Sequence, residues 1–186
     1  MERERVRLDH MLLLLAVLTA AGALTLRAVD GIARSAAEPD GGRSYGSVAE
    51  VERALRTRLS LPGYFPAAFR WPPQRIVATA RGTGAVVLSF AGKQPGIEML
   101  LGQTVEGEGA LPPALWPAAV VLETARIEDC GGARRGTIGR IHAKDGSLWH
   151  EVSCPVHGRR VALRTNGSTE ELLKMADSLE REGPHP

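Results

Sequence analysis

Residues 139–179, GRIHAKDGSLWHEVSCPVHGRRVALRTNGSTEELLKMADSL, decide the fold. Two turn signals, Asp145-Gly146 and Pro155 to Gly158, separate runs in which apolar and polar residues alternate, and Asn166-Gly167 leads into a helix start. The pattern predicts three antiparallel strands closed by an amphipathic helix. A two-residue loop at Asp145-Gly146 sets Ile141 opposite His150 and Arg140 opposite Glu151. A loop centred on Val156 and His157 sets Val152 opposite Val161 and Trp149 opposite Arg164. Side chains alternate faces along a strand, so Ile141, Ala143, Leu148, Val152, Val161 and Leu163 form the core side. Arg140, His142, Trp149, Glu151, Arg160 and Arg164 form the other, with an Arg140 to Glu151 charge pair and Arg164 stacked on Trp149. In the helix, Ser168 and Glu171 have capping-box spacing. Leu172, Met175, Ala176 and Leu179 make an apolar stripe, and Glu170 with Lys174 an outward i,i+4 pair. Such a helix must cover the apolar side of the strands it leaves.

The mid-strand Trp149, the strand after it and the terminal TEELLKMADSL helix of residues 169–179 resemble the DUF4367 family of bacterial extracytoplasmic domains. The likeness is best over residues 120–179 and weaker upstream, where a capped helix leads into LPGYFPAAFRWPP. It implies a module behind a single membrane anchor, in some members attached to anti-sigma-factor or other regulatory modules. It supplies no catalytic residues to carry over. The two cysteines lie outside the family's pattern, and no cytoplasmic zinc-finger segment is read in this chain.

The start of the chain points to the same compartment. His10 to Leu26 is uncharged, dense in leucine and alanine, and bounded by Asp9 and Arg27. At a rise of ~1.5 Å per residue it is at the short end of what crosses a core of ~30 Å. The reading is a short cytoplasmic tail at 1–9 and a transmembrane anchor at 10–27. The alternative is a signal peptide with small residues Ala21-Gly22-Ala23 at its cleavage site; the apolar run continuing through Leu24, Thr25 and Leu26 favours the anchor. Arg3, Arg5 and Arg7 precede the run while Arg27, Arg34 and Arg43 follow it, a mild push towards a cytoplasmic N-terminus. Both readings predict an extracytoplasmic domain, and the anchored one a single-pass cell-membrane protein. Cys130 and Cys154 are then read as a disulfide. Cys154 and His157 also have C-x-x-H spacing, with Cys130, His142 and His150 as further candidate ligands. The register above sends His142 and His150 to opposite faces, so no metal site is read.

Residues 28–46, rich in Gly, Ala and Ser, read as a flexible tether, and the domain as 47–182. Ser47 and Glu50 form a capping box ahead of an apolar stripe of Val48, Val51, Leu55 and Leu59, which predicts a first packing helix of about three turns. Leu61 to Pro73 follows, too proline-rich for a regular helix or inner strand. Half of the chain's aromatic side chains, Tyr64, Phe65, Phe69 and Trp71, lie there. They form either a strap that plugs one edge of the core or a lid over a ligand. Four more strands are read at Arg75 to Arg81, Gly84 to Phe90, Ile97 to Thr104 and Ala118 to Ile127. Short connections demand antiparallel neighbours. The fold class is therefore α+β: a curved antiparallel sheet of about seven strands carrying an N-terminal and a C-terminal helix. Val105 to Pro117 reads as a surface loop, or as a second place for a partner.

A net charge of +2 gives no sign of nucleic-acid binding. Ser89, Ser147 and Ser153 lack a nucleophile-elbow setting, and no Gly-rich phosphate loop adjoins a helix. Glu123, Glu128 and Asp129 read as a solvated strand end, so no enzyme and no cofactor are expected. Two non-catalytic functions remain. One is a sensory or regulatory interaction module that binds another envelope protein through Trp149, Arg160 and Arg164. The alternative is a carrier of a lipid-like apolar ligand held between sheet and helices, with Tyr64, Phe65, Phe69 and Trp71 as its lid.

Overall fold

The computed structural model describes residues 42–80, 82–128, 130 and 135–180. The expected tail, the expected anchor and all but the end of the expected tether lie outside the described residues. Among the described residues, no helix is long and apolar enough to cross a membrane.

The strands are β1 (Arg43–Tyr45), β2 (Arg75–Thr79), β3 (Ala85–Ala91), β4 (Glu98–Thr104), β5 (Ala119–Ile127), β6 (Gly136–Ala143), β7 (Leu148–Val156) and β8 (Arg159–Thr165). They form one open antiparallel sheet in the order β1-β2-β3-β4-β8-β7-β6-β5. The fold is α+β, as read from the sequence, with one strand more than expected. The addition is β1, which pairs Arg43 with Ala78 and Tyr45 with Ile76 in the stretch read as the end of the tether.

Both helices start where their caps predict. In α1 (Val48–Leu55) the Ser47 side chain accepts from the Glu50 N–H, and the Glu50 carboxylate accepts from the Gly46 N–H at 2.8 Å. The helix is shorter than the expected three turns, because Arg56 turns left-handed at φ 52° and closes it. Leu59 lies beyond that end yet is still buried. In α2 (Thr169–Asp177) Ser168 caps the Glu171 N–H, and Lys174 reaches Glu170 at 2.8 Å.

The helices lie on one face of the sheet. Val51 of α1 and Leu172, Met175 and Ala176 of α2 meet Leu88, Met99, Leu101, Val152 and Leu163, all essentially without solvent access. Fully burying each such aliphatic side chain contributes roughly 1.5–3 kcal/mol, so this filled layer is the principal source of stability.

The registers of the last three strands differ from the sequence reading, and turn chemistry is the reason. Lys144, Asp145 and Gly146 form a three-residue loop, closed by the Ala143 N–H on the Ser147 carbonyl, with Gly146 at φ 82°. That one-residue change pairs Ile141 with Trp149 and Arg140 with His150. Every β6 side chain therefore moves to the opposite face from the one expected. Arg140 and His142 stand on the helix side, and Ile141 is buried on the other. At the next turn His157 and Gly158, at φ 50° and 73°, are the two central residues, and Val156 pairs with Arg159. The shift there is by two residues, so faces are kept but partners change: Val152 meets Leu163, and Glu151 rather than Trp149 meets Arg164. Arg140 finds Glu123 of β5 at 3.6 Å instead of Glu151.

Cys130 and Cys154 form a disulfide, with their Cα atoms 5.5 Å apart. The bridge ties the β5–β6 connection to β7, and both sulfurs are buried against the helix-side core. Its cross-link spans 24 residues, for which the chain-entropy estimate is about 3–4 kcal/mol. The Cys130→Ala/Cys154→Ala variant is expected to lose about that much unfolding free energy, with a lower urea midpoint and an altered m-value. A denaturation midpoint equal to that of the oxidised parent would show that the bridge adds nothing.

Candidate functional site

The chain leaves β4 in the middle of the sheet and must enter β5 at its edge. It does so by passing over β8, β7 and β6 on the face opposite the helices. Leu111 and Trp116 of this crossing segment, residues 105–118, bury themselves against Ala85, Val87 and Ala162. Gly102 permits the approach: a Cβ there would stand 2.7 Å from the Trp116 ring. The segment read as a surface loop is thus the cover of the second face.

Its fastening is polar. Glu151 accepts from Arg164 Nε at 2.9 Å and from Trp116 Nε1 at 3.1 Å, and Arg164 Nη1 donates to the Pro117 carbonyl at 2.7 Å. The guanidinium lies over the Trp116 ring, 4.6 Å from its centroid, a cation–π contact with the ring face. The side chain of Arg164 is only 7% exposed, so the pair stands largely out of water. Trp149 is buried as well, its indole N–H on Ser147 Oγ at 2.7 Å. Of the expected docking trio, all three share the predicted face, but only Arg160 reaches solvent. The expectation of an exposed Trp149 and Arg164 patch is corrected: the crossing segment covers Arg164, and Trp116 takes the place expected for Trp149. Removing Glu151 would leave the guanidinium buried without its counter-charge, which costs about 3 kcal/mol or more. Glu151→Ala is accordingly expected to lower the urea midpoint strongly, whereas Glu123→Ala, which breaks an exposed pair, should leave it nearly unchanged.

The aromatic segment forms a strap. Phe69 is buried in the helix-side core, and Phe65 packs its ring 5.2 Å from that of Phe90 and 5.5 Å from that of Trp71. Trp71 stacks on Phe90 at 5.9 Å while remaining half exposed. Backbone bonds stitch the strap to β3 (Arg70 N–H to the Ala91 carbonyl) and to the end of α2 (Gly63 N–H to the Ser178 carbonyl). The Tyr64 hydroxyl donates to the Glu171 carboxylate. That bond, with Lys174 beside it, holds the Glu171 carboxyl below its ordinary value, and the Tyr64 phenol is raised in return. A carboxyl lowered in the folded state gives an anchor present above the ordinary glutamate range and lost as pH falls through the lowered value. In Tyr64→Phe, the Glu171 carboxyl should titrate nearer its ordinary value by NMR; an unmoved titration would mean that the hydroxyl bond is not made in solution.

The exposed feature is the edge strand β5. Every residue from Val120 to Arg126 is exposed, with Val120 at 67%, Val121 at 62% and Leu122 at 50%. A bulge between Val121 and Glu123 interrupts its pairing with β6, and Leu148 adds a further exposed aliphatic side chain on the same face as Val120. The opposite edge, β1, has three residues and carries Arg43 beside Tyr45. The run Ala119-Val120-Val121-Leu122, apolar without alternation, was the available signal for this site. It marks a strand, but nothing in it tells an edge from a buried centre.

Among the described residues, no three His, Cys, Asp or Glu side chains gather where they could hold a metal ion. The expectation that His142 and His150 point to opposite faces is corrected: after the register change they share the helix-side face, and the two cysteines are joined to each other. Ser147 is taken up by Asp145 and Trp149, and Glu123 by Arg140. Comparison with family models, with curated proteins and with solved structures finds no match to this chain.

Proposed function

We propose that the chain is a membrane-anchored, extracytoplasmic, non-catalytic interaction module of a sensory or regulatory kind, and that it engages another envelope protein by strand addition along β5. The observation that carries this is the length and character of that edge. Nine residues of strand, Ala119–Ile127, present backbone N–H and C=O groups beside three exposed aliphatic side chains. The bulge after Val121 and the charges of Glu123 and Arg126 blunt the later part of this edge, and the apolar run 119–122 ahead of them is the part that a partner adding a strand would use. The disulfide suits an oxidising compartment, in keeping with the anchor read at residues 10–27 and with the DUF4367-like end of the chain. The carrier reading needs apolar space between sheet and helices. Leu88, Met99, Leu101, Leu172 and Met175 occupy that layer instead, which favours the interaction module.

A photo-crosslinking residue at Val121, in the full chain in native membranes, is expected to trap a discrete partner that one at Ser44 on the β1 edge does not. Val120→Asp with Leu122→Asp should reduce crosslinking tenfold or more while changing stability by only about 0.5 kcal/mol, as at other exposed sites. Equal crosslinking from both edges, or capture that survives the double substitution, would reject β5 as the docking edge.

A further inference from the structure

The crossing segment leaves part of the second face open. A cleft of about 300 Å³ lies there, lined by Arg126 of β5, Arg135 just ahead of β6, Arg160 of β8 and Glu108 of the crossing segment. Sheet register fixes its floor. Arg126 pairs with Thr137, and Thr137 with Ser153, so one row across three strands places an arginine and two hydroxyl residues on the same face. Arg160, paired with Pro155 two residues further along β7, stands on the other side. Arg126 and Arg160 therefore stand three strand spacings apart and two residues offset, roughly 16 Å at the backbone, a gap that two extended arginine side chains can close around an oxyanion. All three arginines are exposed, and among the described residues none of them makes an ion pair.

Three arginines line one concavity, and a cleft with such a lining concentrates positive potential. The contrast with Arg164 on the same face is informative, because there the charge is met by Glu151. Among the described residues that line the cleft, three cations face one carboxylate, that of Glu108. Guanidinium forks match phosphate oxygens in pairs, and the hydroxyls of Thr137 and Ser153 can donate to oxygens that the forks leave free. We propose that this cleft is a binding site for a phosphate group, with Arg126, Arg135 and Arg160 as its clamp and Glu108 as an opposing charge that weakens the hold. Its openness to solvent lets the phosphate be free or carried at the end of a larger molecule.

Titration calorimetry of the full chain with inorganic phosphate, and separately with glycerol 3-phosphate as an ester carrying the same group, tests this. Saturable one-site binding is expected. Arg126→Ala and Arg160→Ala should each weaken it by about tenfold or more, the usual loss for a hydrogen bond to a charged group, and Arg160→Lys by less. Glu108→Gln should tighten it severalfold, a gain that a folding defect would not give. Tighter binding of glycerol 3-phosphate would identify a phosphate ester as the ligand, and equal binding free phosphate. Absence of saturation by either compound at millimolar concentrations, or affinities unmoved in Arg126→Ala and Arg160→Ala, would overturn the assignment.

Discussion

The structure depends on how one sheet is covered on both sides when its two helices cover only one. Strand order forces the answer. With β4 central and β5 at the edge, the connecting chain must traverse three strands, and the traverse becomes the second cover. What fixes it there is the Glu151 carboxylate, which holds Arg164 of the sheet and Trp116 of the crossing segment at once. A buried ion pair gives little net stability against a well-packed apolar alternative. Its contribution here is position: a guanidinium that needs a carboxylate, a carbonyl and a ring face accepts one placement of the crossing segment.

Much of this was legible in the sequence, and the parts that were not share a physical cause. Caps at Ser47 and Ser168 announce both helices because a short polar side chain before an apolar stripe has a local role that tertiary structure seldom overrides. The seven expected strands all exist. The registers of the last three differ at the turns, where one residue decides everything. A loop centred on Val156 asks a β-branched residue to take positive φ, whereas His157-Gly158 tolerates it. At Gly146 the left-handed residue closes a three-residue loop instead of a two-residue one. Strand β1 has no sequence signal because three residues in a Gly- and Ser-rich setting carry no period to read.

The candidate sites were less legible still. Trp149, Arg160 and Arg164 were correctly set on one face, but alternation says which face a residue takes and not whether another segment lies over it. The aromatic strap was readable as a strap, since proline-bounded rings beside a core have few other uses, and Phe65, Phe69 and Phe90 meet as that reading requires. The long exposed edge of β5 and the arginine-lined cleft both follow from strand order, a property of the whole chain that no single stretch encodes. Each lies where the covers end: β5 beyond the reach of both helices, and the cleft in the part of the second face that Trp116 and Leu111 leave bare.

The pairing of β4 with β8 has a kinetic consequence. Among the ladders in the sheet it joins the residues most distant in sequence, Met99 with Thr165 and Leu101 with Leu163, while β2 to β4 and β5 to β8 are meanders of neighbours. Loop-closure entropy is therefore concentrated at this one seam. The two meanders are the local units of assembly, and their docking along β4 and β8 is the step that closes both cores together. Until it happens, Leu101 and Leu163 present two bare, complementary strand edges, so the interval before the seam closes is when the chain is most open to pairing with the wrong strand.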